Sequence, residues 1–260
     1  MTLSRLRATL VLLSFASLTL PLMPVQQLFV WLWPRMARAF PMYYHRLVLR
    51  ILDVNVNIDG EVLKQGPAIL AANHVSWLDI VILSSVAPVS FIAKTDVNAW
   101  PLFGALARLQ RTVFVDRDRR HTTASSRDEM QERLKAGDML VLFAEGTSGD
   151  GARVLPFKST FFAAAEHPGV SVQPLSIVYT GHRNLPMTRR LRPLYAWYGD
   201  MEMPPHLWGA AGHGPIEVKI VCHAPLSIAD HGNRKTLAKQ AEDTVRQGLV
   251  HSLHGPVKMS

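Results

Sequence analysis

Apolar residues follow one another almost without a break from Ala8 to Val25, and Leu28–Trp33 carries the same character further. No later stretch reaches the roughly 18 apolar residues that a bilayer-crossing helix needs. Pro21, Pro24 and the pair Gln26-Gln27 interrupt this first run. It reads either as a kinked span or as a helix–break–helix that dips into one leaflet. A secretory signal peptide has a similar apolar centre, but a small-residue cleavage site should follow it. Here Trp31 and Trp33, suited to a membrane interface, and then Arg35, Arg38, Arg46 and Arg50 follow instead. Fewer arginines precede the run than follow it, so the positive-inside rule puts the bulk of the chain on the cytoplasmic side of the inner membrane. The expected division is a membrane-anchoring segment over residues 1–50 and one globular domain over 51–260.

Beyond residue 50 the pattern changes to short apolar runs between polar turns. Val54–Ile58 and Ala68–Ala72 read as strands, the second entered through Gly66-Pro67. Leu78–Val86 reads as a helix that stops before Pro88. Phe91–Ala93 is a short strand, Phe103–Leu109 a short helix and Thr112–Val115 a strand. Thr122–Ala136 is helical, with Glu129 and Arg133 spaced to pair and Gly137 as its stop. Met139–Ala144 is a continuous apolar strand carrying Glu145 at its end. Ser159–Ala165 reads as helix and Val170–Tyr179 as strand. Gly181–Gly214, rich in Gly, Pro, Arg and Trp, reads as a long surface excursion with Trp197, Leu207 and Trp208 as membrane contacts. Ile216–Val221 alternates as a strand. Asn233 caps a last amphipathic helix to about Leu253, with Leu237, Ala241, Val245 and Leu249 on its core-facing stripe. Strands that alternate with helices make the class α/β.

Composition sharpens this picture. Of 260 residues, 48% are hydrophobic and only 18% charged, and the net charge is +8. A greasy, basic protein favours anionic partners such as lipid headgroups or an acidic carrier. There is no nucleic-acid motif, so no nucleic-acid partner is expected. One cysteine, Cys222, excludes an intramolecular disulfide and reads as a small buried hydrophobe. No His-Glu-x-x-His motif or Cys/His cluster is present, so neither a metal nor a cofactor is expected.

The chemistry concentrates in two places. Asn73-His74-Val75-Ser76-Trp77-Leu78-Asp79 directly follows an apolar strand, where open α/β sheets place their ligands. A histidine and a carboxylate can serve as a base and the group that orients it. In one continuous helix, His74 and Asp79 would lie about 140° apart and could not meet. His74 must therefore sit in the loop and Asp79 in the first helical turn. Phe143-Ala144-Glu145-Gly146-Thr147-Ser148 follows a second strand in the same way. Ser76 lies near the base, but no Gly-x-Ser-x-Gly elbow supports a serine nucleophile.

These segments resemble the first and third signature blocks of the glycerolipid acyltransferases, the family of the lysophosphatidate acyltransferases. Two more blocks follow in family order. Arg111-Thr112-Val113-Phe114-Val115-Asp116-Arg117 resembles the second, which ends in Phe-x-x-Arg, and Val172-Gln173-Pro174-Leu175 resembles the fourth. The resemblance covers roughly residues 60–225. Ala144 replaces the usual proline of the third block, and Ser148 replaces an arginine that in the family helps to hold the acceptor's phosphate. The continuation Gly149–Ser159 resembles the subgroup of lyso-ornithine lipid acyltransferases, whose acceptor carries an amino-acid head and no phosphate.

The resemblance implies one domain with a mixed central sheet flanked by helices. It implies transfer of a fatty acyl group from an acyl carrier protein or coenzyme A thioester to a lysolipid hydroxyl. His74 and Asp79 would be the catalytic pair. Asn73, Phe114, Arg117, Glu145, Gly146, Thr147, Ser148 and Pro174 would surround the substrate. Glu145 has two readings, a ligand for the acceptor's polar head or a buried charge paired with Arg117. The oxyanion is expected to take backbone N–H donors near the helix start. Lysophosphatidate and lyso-ornithine lipid both stay open as acceptors. A hydrolase using the same base, or a non-catalytic lipid-binding protein, is the alternative class.

Overall fold

Alternation along the strands assigns two faces to one sheet, and both faces are covered. The computed structural model describes residues 2–115 and 120–254, with side chains for 3–115 and 128–254. Its strands are β1 (Val54–Asp59), β2 (Ala68–Ala72), β3 (Val89–Lys94), β4 (Val113–Val115), β5 (Met139–Phe143), β6 (Ser171–His182), β7 (Leu185–Pro186) and β8 (Ile216–Cys222). They form an eight-stranded sheet in the order β1-β8-β6-β2-β5-β3-β4, with β7 paired to β6. β2 is parallel to both β5 and β6, whereas β8 runs antiparallel to β6. The sheet is therefore mixed.

The helices are α1 (Thr2–Leu32), α2 (Pro34–Leu52), α3 (Leu78–Val86), α4 (Phe103–Leu109), α5 (Arg120–Lys135), α6 (Met203–His213), α7 (Ile228–His231) and α8 (Arg234–His254). Leu70 and Ala72 of β2 face one layer, packed with Val48 and Leu49 of α2 and with Leu78 and Ile82 of α3. Ile69 and Ala71 face the other, under Leu134 of α5 and the Leu237, Ala241, Val245 and Leu249 stripe of α8. Asn233 caps α8 as expected, its Oδ1 accepting from the Lys235 and Thr236 amides.

Several expectations need correction. α1 runs unbroken through Pro21 and Pro24. A proline inside a helix costs about 3 kcal/mol, and packing against α2, α4 and α6 outweighs that here. The helix lies along the domain for most of its length. Near its start Arg7 bonds the Ala211 carbonyl and pairs with Asp53 at 3.5 Å, and Gly212 packs against the Ser4 carbonyl, where a side chain would collide. Near its end Gln26 donates to the carbonyls of Ala37 (3.0 Å) and Leu109 (2.8 Å). Leu3, Leu6, Leu10, Leu13, Leu20 and Trp31 cover its outer, exposed face.

The Gly181–Gly214 stretch runs largely over the surface, exposed at 183–186 and 188–190, but it is structured rather than a bare loop. It holds the end of β6, then β7 and α6, and buries Tyr195 and Ala196 against the body. Of its expected membrane contacts only Trp208 is exposed. Ser159–Glu166 is helical as read, in the 3₁₀ form. Arg133 is not spent on Glu129. It joins Arg111 (2.8 Å) and Arg38 (2.6 Å) around the buried Asp138 carboxylate, tying α2, α5 and the chain before β4 together.

Candidate active site

β2 and β5 are neighbours, with Ala72 opposite Phe143, so the next residues of both strands emerge side by side. Asn73 turns inward, donating to the Ile177 carbonyl (3.0 Å) and accepting from the Ile177 amide (2.8 Å). It clips β2 to β6 and stays buried. His74 follows in the loop. Its amide donates to Glu145 Oε2 (2.8 Å), its carbonyl accepts from the Gly149 amide (2.8 Å), and its ring stacks on Phe143 at 3.9 Å.

α3 begins at Leu78, which puts Asp79 in the first turn as the pairing requires. His74 Nδ1 lies 2.8 Å from Asp79 Oδ2. The same oxygen accepts from the Val75 amide (2.6 Å) and the Ser76 amide (2.9 Å), and Oδ1 accepts from the Tyr179 hydroxyl (2.8 Å). Asp79 is 0% exposed, so these four bonds are what makes a buried carboxylate tolerable. Oδ2 acts as an acceptor, which places the shared proton on His74 Nδ1 and leaves the Nε2 lone pair free for chemistry. Burial, and then the neighbouring Asp79 charge, push the Tyr179 phenol well above its ordinary range, so it remains a donor. The Val75 and Ser76 amides, which lie near the helix start, are committed to Asp79. Ser76 is wholly buried and does not line the cavity described below.

Glu145 lies behind His74 and not before it. It is 3% exposed, with Oε1 accepting from the Leu155 amide (2.8 Å) and Oε2 from His74. Burial pushes its carboxyl up to about 7, against the pull of those two N–H groups. Both Glu145 oxygens are thus used within the fold, one of them on the His74 backbone. Arg117, its other expected partner, lies outside the described residues.

One cavity of about 520 Å³ opens in front of His74. Its apolar walls come from α1 (Leu12, Phe15), α2 (Phe40, Val48) and α3 (Ile80, Val81). Gly146, Thr147 and Ser148 line it beside His74, with Gly146 at φ 75°, a conformation that favours glycine. Asn73, Glu145, Phe114 and Pro174 do not line it. Pro174 is buried within β6 opposite Ala71, and Phe114 sits half-buried in β4 opposite Ala93. Two features escape the sequence pattern. Tyr179 reaches Asp79 because β6 extends beyond the end of β2. Trp197, whose amide bonds the Val75 carbonyl (2.9 Å), closes one side of the cavity. Trp77 Nε1 donates to His206 (3.1 Å), which in turn bonds the Ala196 carbonyl (3.1 Å), fixing that side to the site.

Residues 53–178 match the Acyltransferase family. Over 257 residues the chain is 43% identical to the lyso-ornithine lipid O-acyltransferase of Brucella abortus (strain 2308), covering 96% of both chains. It is 43% identical over 244 residues to the enzyme of that name from Rhizobium meliloti (strain 1021), covering 91% of this chain and 84% of the relative. The 1-acyl-sn-glycerol-3-phosphate acyltransferase of Neisseria meningitidis serogroup B (strain ATCC BAA-335 / MC58) is 30% identical over 203 residues, 77% of each. In fold, the chain is similar to the crystal structure of the 1-acyl-sn-glycerophosphate acyltransferase from Thermotoga maritima, with a TM-score of 0.72, 22% identity and coverage of 98% of this chain and 100% of that one. A histidine–aspartate pair held at the strand ends of this sheet, in a chain with these relatives, makes the protein a member of the acyltransferase family.

Proposed function

We propose that the protein moves a fatty acyl group from an acyl thioester to the free hydroxyl of lyso-ornithine lipid, with His74 as general base. The observation that carries this reading is the buried Asp79 carboxylate on His74 Nδ1, with the ring set in an apolar cavity. Nε2 takes the acceptor's hydroxyl proton as its oxygen attacks the thioester carbonyl. The tetrahedral intermediate collapses, the C–S bond breaks, and His74 returns the proton to the departing sulfur. Asp79 stabilises the imidazolium between the two steps. The apolar walls of α1, α2 and α3 take the acyl chain. Relatives named for lyso-ornithine lipid at 43% identity support that acceptor over lysophosphatidate, as does Ser148, which offers a phosphate one neutral donor where an arginine would offer two charged bonds. The donor is an acyl carrier protein or coenzyme A thioester.

The exposed apolar outer face of α1 supports attachment to the membrane. With the domain packed along it from Ser4 to Gln26, the helix would lie in one leaflet, on the cytoplasmic face of the inner membrane, and not cross. The test is transfer of labelled acyl groups from each donor to each lysolipid by purified enzyme in vesicles. His74→Ala is expected to lose about 10²–10⁴-fold in rate while folding normally. Release of free fatty acid without lysolipid consumption would instead make the protein a hydrolase.

A further inference from the structure

The cavity wall is mostly apolar, with neutral polar side chains such as Gln26 and Gln110 buried in it. Among its described lining residues, Lys94 and Asp96 are the only ones carrying a full charge apart from histidines. Lys94 ends β3 and Asp96 follows in a 3₁₀ turn, Thr95–Ala99, so the two lie next but one in sequence on the same rim. Both are exposed, and neither forms an ion pair with any described residue. The nearby Arg108 is committed elsewhere, to the Asn98 side chain (2.6 Å) and carbonyl (3.2 Å), which also pins the turn. Trp100 and Trp197 meet edge to face at 6.0 Å on the same cavity, and Trp197 is held by its Nε1 bond to the Met201 carbonyl (2.7 Å).

An unpaired carboxylate here runs against the expected chemistry of a phosphate site. A phosphomonoester would carry close to two negative charges past Asp96, and like charges repel. An ammonium would instead gain a charged hydrogen bond and, from the tryptophan rings, a cation–π contact. A rim with one cation and one anion matches a zwitterion.

We propose that Asp96, with the Trp100–Trp197 platform, binds the acceptor's free ammonium group and selects against phosphate-headed acceptors. This rests on the acceptor reading above. Ornithine linked through its α-nitrogen keeps a carboxylate and a side-chain ammonium, so Lys94 and Asp96 each have a partner.

The test uses full-length enzyme and three acceptors: lyso-ornithine lipid, the same lipid acetylated on its side-chain nitrogen, and lysophosphatidate. Acetylation removes the ammonium and keeps the carboxylate. Wild type is expected to prefer the free amine by about tenfold or more in kcat/KM, the effect of a hydrogen bond to a charged group. In Asp96→Asn the two ornithine acceptors should converge, and Asp96→Glu should restore part of the preference. Equal use of both by wild type, or an undiminished preference in Asp96→Asn, overturns the role of Asp96 and leaves the acceptor reading standing. Use of lysophosphatidate with neither ornithine lipid acylated overturns both.

Discussion

Tyr179 donates to Asp79 Oδ1 from inside the sheet, and nothing else described does. Removing that hydroxyl leaves a buried carboxylate oxygen unpaired, a loss of about 1–3 kcal/mol. Tyr179→Phe should therefore melt lower and slow the transfer about tenfold, with KM for the acceptor little changed, since the residue works through Asp79. Steady-state kinetics with a thermal melt check this, and a kcat equal to wild type would reduce Tyr179 to packing. Glu145 is open to a similar split. Glutamine can accept only one of the His74 and Leu155 amides and sets an NH2 against the other. Glu145→Gln should lower kcat and stability, whereas a head-group ligand would raise the acceptor KM instead. The pH dependence has a definite sign. The folded value, about 7, lies above the ordinary carboxyl value of 4.5, so the protonated form is favoured in the fold. Glu145 stabilises fully below pH 4.5, and this contribution is lost as the pH rises through 7. The melting-temperature gap between wild type and Glu145→Gln should narrow from pH 5 to 8, and a widening gap would contradict the assignment.

At the scale of elements, α1 has two jobs on two faces. Leu12, Phe15 and Met23 line the cavity, and Leu6, Leu10, Leu13 and Leu20 face outward. Burying a leucine is worth roughly 1.5–3 kcal/mol. Changing those four outer leucines to glutamine should weaken vesicle binding at least about a hundredfold in a co-sedimentation assay. Transfer between short, water-soluble substrates should survive, because the cavity wall is untouched. Unaltered sedimentation would mean that another surface carries the attachment. Deleting residues 1–34 is a different experiment, because it removes a wall of the cavity. The truncated chain should aggregate rather than appear as a soluble active domain.

The whole molecule carries a net charge of +8. Its attachment to anionic vesicles should therefore fall with salt, since the screening length shrinks from about 10 Å at 0.1 M to about 3 Å at 1 M. The apolar face of α1 should leave a residual that neutral vesicles also show. A salt-independent affinity for anionic vesicles would leave hydrophobic contact as the whole of the attachment.

The local pattern alone determined much of this protein. β2, α3 and α4 lie over the residues that apolar runs and turn signals mark out, and the loop-then-helix placement of His74 and Asp79 follows from helical geometry. These are short-range properties, carried by residues near in sequence. What only the tertiary structure decided is long-range. Strand register set His74 beside Glu145, and the extra length of β6 brought Tyr179 to Asp79. No sequence period records which strand will be a neighbour. Packing kept α1 helical through two prolines and turned its Gln26 inward, and contacts with the site loop brought Trp197 onto the cavity. Proline and glutamine read as interruptions when a helix is taken alone, and contacts made across the fold are what reverse that reading.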